Sequence, residues 1–207
     1  MYKVLEISND KVHGLSDSIL ASGYPMQTEV ESNQYKIPVD GDVKRAKVLS
    51  GCKPGTGHDC FLKGIIVQFD VKASEYWYRQ ADRYTWFDYV SSQSKMHRLL
   101  KMDIDENCNE WVDARIKAVL MEKICKYNQM VEDGGYTKLQ LSYAFQEVVS
   151  NCPSGFMLTA RKTTNYLQLK TMYNQRKGHK LQEWRVFCEW VKTLPESWLI
   201  TGEQPEN

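Results

Sequence analysis

The stretch that most constrains the fold is GHDCFLKGIIVQFDVKASEYWYRQADRYTWFDYVSSQSKMHRLL at 57–100, because one strand can be read directly from it. Ile65, Val67, Phe69 and Val71 alternate with Ile66, Gln68 and Asp70, the period-two pattern of a strand with one buried face. Turn residues precede this strand, and a helix and a polar loop are expected after it. The second half of the stretch concentrates polar and charged residues, among them Arg79, Gln80, Asp82, Arg83, Ser91, Ser92, Gln93, Ser94, Lys95, His97 and Arg98. A site for an anion or a nucleotide is the first chemistry this suggests.

Upstream, alternation over 2–8 predicts an opening strand ended by the turn pair Asn9 and Asp10. Ser16, Asp17 and Ser18 would cap a short helix through Ile19, Leu20 and Ala21, stopped at Gly23 and Pro25. A long polar loop is expected over 27–41, then a helix from Asp42 and Val43 to Gly51. Downstream, 102–109 reads as an acidic turn. Val112, Ile116, Val119, Leu120, Ile124, Tyr127 and Val131 recur at helical spacing, which predicts a long amphipathic helix ended by Gly134 and Gly135. Leu139 to Val148 suggests another helix, 155–159 a strand or a helix lead-in, and 163–175 a helix. Leu181, Trp184, Phe187, Cys188, Val191 and Leu194 mark a last amphipathic helix, stopped by Pro195. Strands mixed with mostly helices make an α+β domain the expected class.

The 207 residues suit a single domain, with a polar tail at 201–207 expected to fray. Lys plus Arg at 27 nearly cancels Asp plus Glu at 26, so any basic site must be local and a nucleic-acid partner is disfavoured. No apolar run has membrane-spanning length and the first residues carry charges, so a cytoplasmic protein without a membrane partner is expected. The six cysteines form no C-x-x-C pair, which points to reduced structural thiols and no metal site. Arg161, Lys162, Lys170, Arg176, Lys177, His179 and Lys180 could form a local anion-binding face or a solvated charge run. Trp111, Trp184, Trp190 and Trp198 are expected in the core or at an interface.

Three segments together resemble one family. GHD followed by IIVQFDVKA and RQADR is similar to the flavin-dependent thymidylate synthases, in which a G-H-E turn leads to a strand ending V-K-A and a helix with R-Q-x-x-R. TARKTTNYLQLK resembles that family's N-A-R segment, and HKLQEW its His-Ala-Gln-Trp-Glu helix start. The resemblance spans about 43–195. It implies a central antiparallel sheet flanked by long helices, and a homotetramer with active sites at subunit interfaces. It also implies binding of FAD, deoxyuridine monophosphate (dUMP), methylenetetrahydrofolate and NADPH. Carried over by position, His58, Arg83, Arg161 and Asn165 match flavin-contacting residues, and Gln80 and Arg83 match nucleotide-contacting ones. Lys170 stands where the family has a substrate arginine. A standalone homologue of this size would suit a phage or mobile-element gene.

The family signature R-H-R-x7-S is broken. It begins at Arg83 but continues as Tyr84 and Thr85, with Gln93 at the serine position, Ser91 for the preceding glutamate and Lys95 for the following arginine. One inserted residue makes Ser94 the candidate catalytic serine but puts Met96 at the arginine position. A further phosphate-binding arginine is Tyr143 here. Charge-assisted hydrogen bonds contribute roughly 1.5–3 kcal/mol each, so a phosphate dianion site lacking two arginines would be weaker by several kcal/mol. Two readings follow: a divergent enzyme transferring a one-carbon unit to a uracil ring, or a catalytically degenerate nucleotide-binding or protein-interaction module.

Overall fold

The computed structural model describes residues 4–30, 36–53 and 55–203. Its regular elements are β1 (Glu6–His13), α1 (Leu15–Ala21), α2 (Asp40–Ser50), β2 (Ile66–Ser74), α3 (Glu75–Ala81), β3 (Asp88–Ser92), α4 (Lys95–Arg98), α5 (Ile104–Asn107), α6 (Ala114–Asp133), α7 (Lys138–Ser150), β4 (Met157–Asn165), α8 (Tyr166–Arg176), α9 (Gln182–Thr193) and α10 (Trp198–Thr201). The four strands form one antiparallel sheet in the order β1-β2-β4-β3, flanked by the helices. This is the α+β class expected from the sequence.

β2 and β4 form the centre of the sheet, and their register sorts every side chain. Val67 opposes Thr164, Phe69 opposes Lys162 and Val71 opposes Ala160, and all six are buried. Ile66 opposes Asn165, Gln68 opposes Thr163 and Asp70 opposes Arg161 on the other face. Directly opposed residues of an antiparallel pair share a face, so one face is apolar and the other polar. The apolar face packs against α3, α8, α9 and α10 through Trp77, Tyr166, Leu169, Trp184, Phe187 and Leu199. Phe69 lies 4.4 Å from Trp190 and Trp77 lies 4.9 Å from Trp184 between ring centroids. A second apolar cluster joins Leu99, Ile104, Cys108, Leu120, Val148 and Phe156.

The alternation at 65–71 appears as β2, and the helix ended by Gly134 is α6, with Gly134 at φ 69° closing it in the left-handed region. Much of α6 faces outward: Ile116, Val119 and Val131 are exposed, as are Leu139 and Tyr143 on α7. Several expectations change. The expected acidic turn contains α5, and α1 starts at Leu15 with Gly14 at its N-cap and no side-chain capping bond. β1 runs through Asn9 and Asp10, which form a bulge where the register slips between Ser8 and Lys11, with Asn9 at φ 52°; residues 2 and 3 of the expected strand lie outside the described residues. The expected polar loop contains β3, an edge strand exposed at every residue, so no apolar alternation announces it. The segment 163–165 completes β4, and α8 starts at Tyr166. Trp111 is exposed, which removes the core half of its expectation and leaves the interface half, while Trp184 is fully buried. The expected loop residues 31–35 and tail residues 204–207 also lie outside the described set. Glu203 accepts a 2.6 Å hydrogen bond from the Tyr173 hydroxyl, so the start of the tail is tied down.

Candidate functional site

Gly57 takes φ 82° and turns the chain so that His58 is exposed while Asp59 is buried. Asp59 accepts a 2.7 Å hydrogen bond from Lys170 Nζ, which also donates to the Ser50 carbonyl at 2.6 Å and the Cys52 carbonyl at 3.4 Å. An ammonium has three donors, and these three acceptors use them all. Lys170 thereby fastens the end of α2 and the His58 turn to α8, and its charge is committed within the chain.

Arg161 and Asn165 lie on the polar face of the sheet. Arg161 donates to Asp70 Oδ1 at 2.9 Å and to the Asn9 carbonyl at 3.4 Å. The Asp70 carboxyl is held below the usual range, first by the Asn9 side-chain hydrogen bond and then by Arg161. Asn165 caps α8, its Oδ1 accepting from the Gln168 N–H at 2.9 Å. Beside Asn165 opens a cavity of about 380 Å³ bordered by Lys63, Ile66, Trp86, Leu167, Gln168 and Thr171.

Gln80 and Arg83 sit near the end of α3, on the helix-covered side of the sheet. Gln80 Oε1 accepts from Arg176 Nη1 at 3.2 Å and from Trp184 Nε1 at 3.0 Å. Arg176 Nε donates to the Tyr84 hydroxyl at 2.7 Å, and its guanidinium lies 4.6 Å from the Trp184 ring centroid. Tyr84, where the signature has histidine, is therefore part of an internal clamp on Arg176. Arg83 is exposed. Gln93, at the signature serine position, hooks onto β4: its N–H donates to the Thr159 carbonyl at 2.9 Å and its Oε1 accepts from the Thr159 N–H at 2.8 Å. Lys95 is ion-paired with Glu75. Ser94 precedes α4 without a side-chain capping bond.

The structure thus brings Arg161 and Asn165 onto one face, links His58 to α8 through Asp59 and Lys170, and sets Gln80 and Arg83 apart. The expected basic face is not continuous. Arg161 and Lys162 are sequence neighbours on a strand and point to opposite faces, and Lys162 is fully buried beneath Tyr89. Burial pushes the Lys162 ammonium down to about 8, against the pull of Asp82 and Asp88. Sequence reasoning missed Lys63, Trp86 and Gln168. They belong to three separate segments with no shared motif, and only the packing of α8 beside the ends of β2 and β4 joins them.

No protein-family model matches the chain, and no curated protein matches it. Solved structures do. Flavin-dependent thymidylate synthase ThyX from Helicobacter pylori, complexed with FAD and dUMP, superposes with a TM-score of 0.67 at 13% identity, covering 96% of this chain and 98% of that one. A second structure of the same enzyme with FAD and dUMP gives 0.67 at 14% identity, covering 96% and 97%. The UMP/dUMP methylase PolB from Streptomyces cacaoi, bound with 5-Br dUMP, gives 0.58 at 14% identity, covering 94% of each chain. With superposition extending over nearly the whole length, the chain has the fold of flavin-dependent thymidylate synthase ThyX.

Proposed function

We propose that this chain binds a pyrimidine nucleotide and FAD, and transfers a one-carbon unit to a uracil ring. The observation that carries this reading is the fold-wide superposition on two structures complexed with FAD and dUMP and a third bound with 5-Br dUMP. The polar sheet face fits such ligands: Asn165 borders a cavity of about 380 Å³, enough for one ring system at the small end of ligand sites, and Arg161 lies on the same face against Asp70. Arg161, Asn165 and His58 would hold the flavin, and Gln80 and Arg83 the nucleotide. A bound reduced flavin supplies a hydride, with methylenetetrahydrofolate as carbon donor and NADPH as reductant. The residues of the chain itself orient the rings through Asn165 and Gln80 and meet phosphate with arginine. Arg161 reaches a phosphate only by sharing or leaving Asp70.

The separation of Gln80 and Arg83 from Arg161 supports sites shared between copies. The exposed apolar residues Ile116, Val119, Leu139 and Tyr143 on α6 and α7 support a homotetramer. Reconstitution with FAD followed by removal of free flavin tests the reading: stoichiometric yellow protein is expected, and a colourless protein refutes the flavin form.

The second reading is a catalytically degenerate nucleotide-binding or interaction module. Its support is specific. Gln93 and Lys95, where the signature has its serine and arginine, are engaged with Thr159 and Glu75. Rescue of a thymidine auxotroph by this gene would eliminate it.

A further inference from the structure

Trp86 does something the fold does not require. Its φ is 63°, a left-handed conformation that a bulky side chain adopts only against a steric penalty. Its side chain is 66% exposed, whereas its neighbour Phe87 and the nearby Trp77 are buried in the core. Trp77 and Phe87 meet edge-on at 6.1 Å, and Trp86 joins none of the ring contacts among the described residues. The chain therefore tolerates backbone strain and an exposed indole without gaining packing. Strained residues of this kind concentrate at ligand sites.

The indole borders the cavity beside Asn165, and the other walls suit a flat polar ring. Ile66 and Leu167 supply apolar surface. Asn165 has used Oδ1 to cap α8, so its N–H donors remain for a ring edge. The Gln168 side-chain amide has no hydrogen bond among the described residues, and Lys63 forms no ion pair there. Lys63 is thus a cation at the mouth of an aromatic-walled cavity.

We propose that Trp86 is the stacking wall for a planar heteroaromatic ring of a phosphate-bearing ligand. Asn165 and Gln168 read the ring edge and Lys63 meets the phosphate. The inference deepens the reading above, on which it rests for the two sources of such a ring: the flavin or the uracil. It assigns the ring a wall at a spacer position that the signature motif leaves unspecified.

The test titrates FAD and, separately, dUMP into the full-length protein and into Trp86→Ala, Trp86→Phe and Trp86→Gly. Flavin uptake is read by absorbance, stacking by quenching of the tryptophan emission that Trp86→Phe removes, and dUMP binding by calorimetry. Stacking on an aromatic side chain typically changes affinity by about tenfold or more on truncation to alanine. The expected result is that Trp86→Ala weakens one of the two ligands about tenfold while Trp86→Phe stays within about threefold of the unaltered protein. Glycine tolerates positive φ, so Trp86→Gly should melt at the same or a higher temperature while binding as poorly as the alanine variant. FAD dependence on Trp86 assigns the ring to the flavin, and dUMP dependence without FAD uptake assigns it to the uracil and removes only the flavin reading. FAD uptake with equal affinity in Trp86→Ala, and dUMP binding likewise unchanged, overturns this proposal and leaves the flavin reading intact. Binding of neither ligand by the unaltered protein overturns both. A large drop in the melting temperature of Trp86→Gly also overturns it, because Trp86 would then be a packing residue.

Discussion

Replacing Lys162 with methionine tests whether the apolar face of the sheet carries a buried cation at a net cost. Lys162 has no exposed surface, and its Nζ has no hydrogen-bond partner among the described residues. The closest carboxylate, Asp82, is 3.7 Å away and itself half in solvent, so its screened attraction is small. Two larger effects oppose each other. Burial lowers the pKa from 10.5 to about 8, and at about 1.36 kcal/mol per pH unit this makes the charged form cost about 3 kcal/mol at neutral pH. Against this, Nζ sits 3.3 Å from the Tyr89 ring centroid and 4.7 Å from that of Phe87, and a desolvated cation–π contact contributes about 2 kcal/mol. The difference leaves Lys162→Met more stable by about 1 kcal/mol at pH 7, seen as a raised urea midpoint with unchanged slope. The sign with pH follows. Between about pH 8 and 10.5 the unfolded chain binds more protons at this site than the folded one, so the stability of the unaltered protein rises across that window. The ring contacts favour the charged form and narrow the window from below. The methionine variant lacks the rise, so its advantage should shrink as pH increases. A loss of more than about 1 kcal/mol at pH 7 would refute the reasoning, because the aromatic contacts would then outweigh desolvation.

Lys170→Met leaves Asp59 and the Ser50 carbonyl buried without their partner, and should cost roughly 3–5 kcal/mol in urea unfolding; a loss below about 1 kcal/mol would mean that water replaces the ammonium. Glu183 is buried and its pKa is raised above 4.5 by desolvation. Its protonated form therefore adds stability at low pH that is lost as pH rises through the folded value. Glu183→Gln keeps an acceptor for the Ser74 hydroxyl at 2.5 Å, so the stability difference between the two proteins should shift in favour of the variant as pH rises above 4.5, and a pH-independent difference in melting temperature would contradict this. Asn165→Ala removes the α8 cap and should cost about 1 kcal/mol, while Asn165→Asp should retain most of it; equal losses in the two variants, measured by thermal melting, would show that capping is not the cause.

The local patterns were readable in the chain itself. Alternation at 65–71 marked β2, helical spacing with Gly134 marked α6, and Leu181 to Leu194 marked α9, because each pattern reflects a single element meeting one apolar surface. GHD, RQADR and TARKTTN identified the fold by resemblance, and the superpositions bear that out. What escaped the sequence depends on distant partners. β3 has five exposed residues and exists only because β4 offers it an edge. Lys170 reads as a free cation until Asp59, 111 positions away, takes its charge. Arg161 and Lys162 read as one basic patch, but pairing with β2 sends one to Asp70 and buries the other. The cavity at Trp86 gathers residues from three segments that share no motif. Sequence alone determined which stretches form the central strand and the long helices, since those depend on periodicities within one element. Tertiary structure alone decided which charges remain available and where a ring can sit, since both depend on contacts that close only when the sheet and α8 come together.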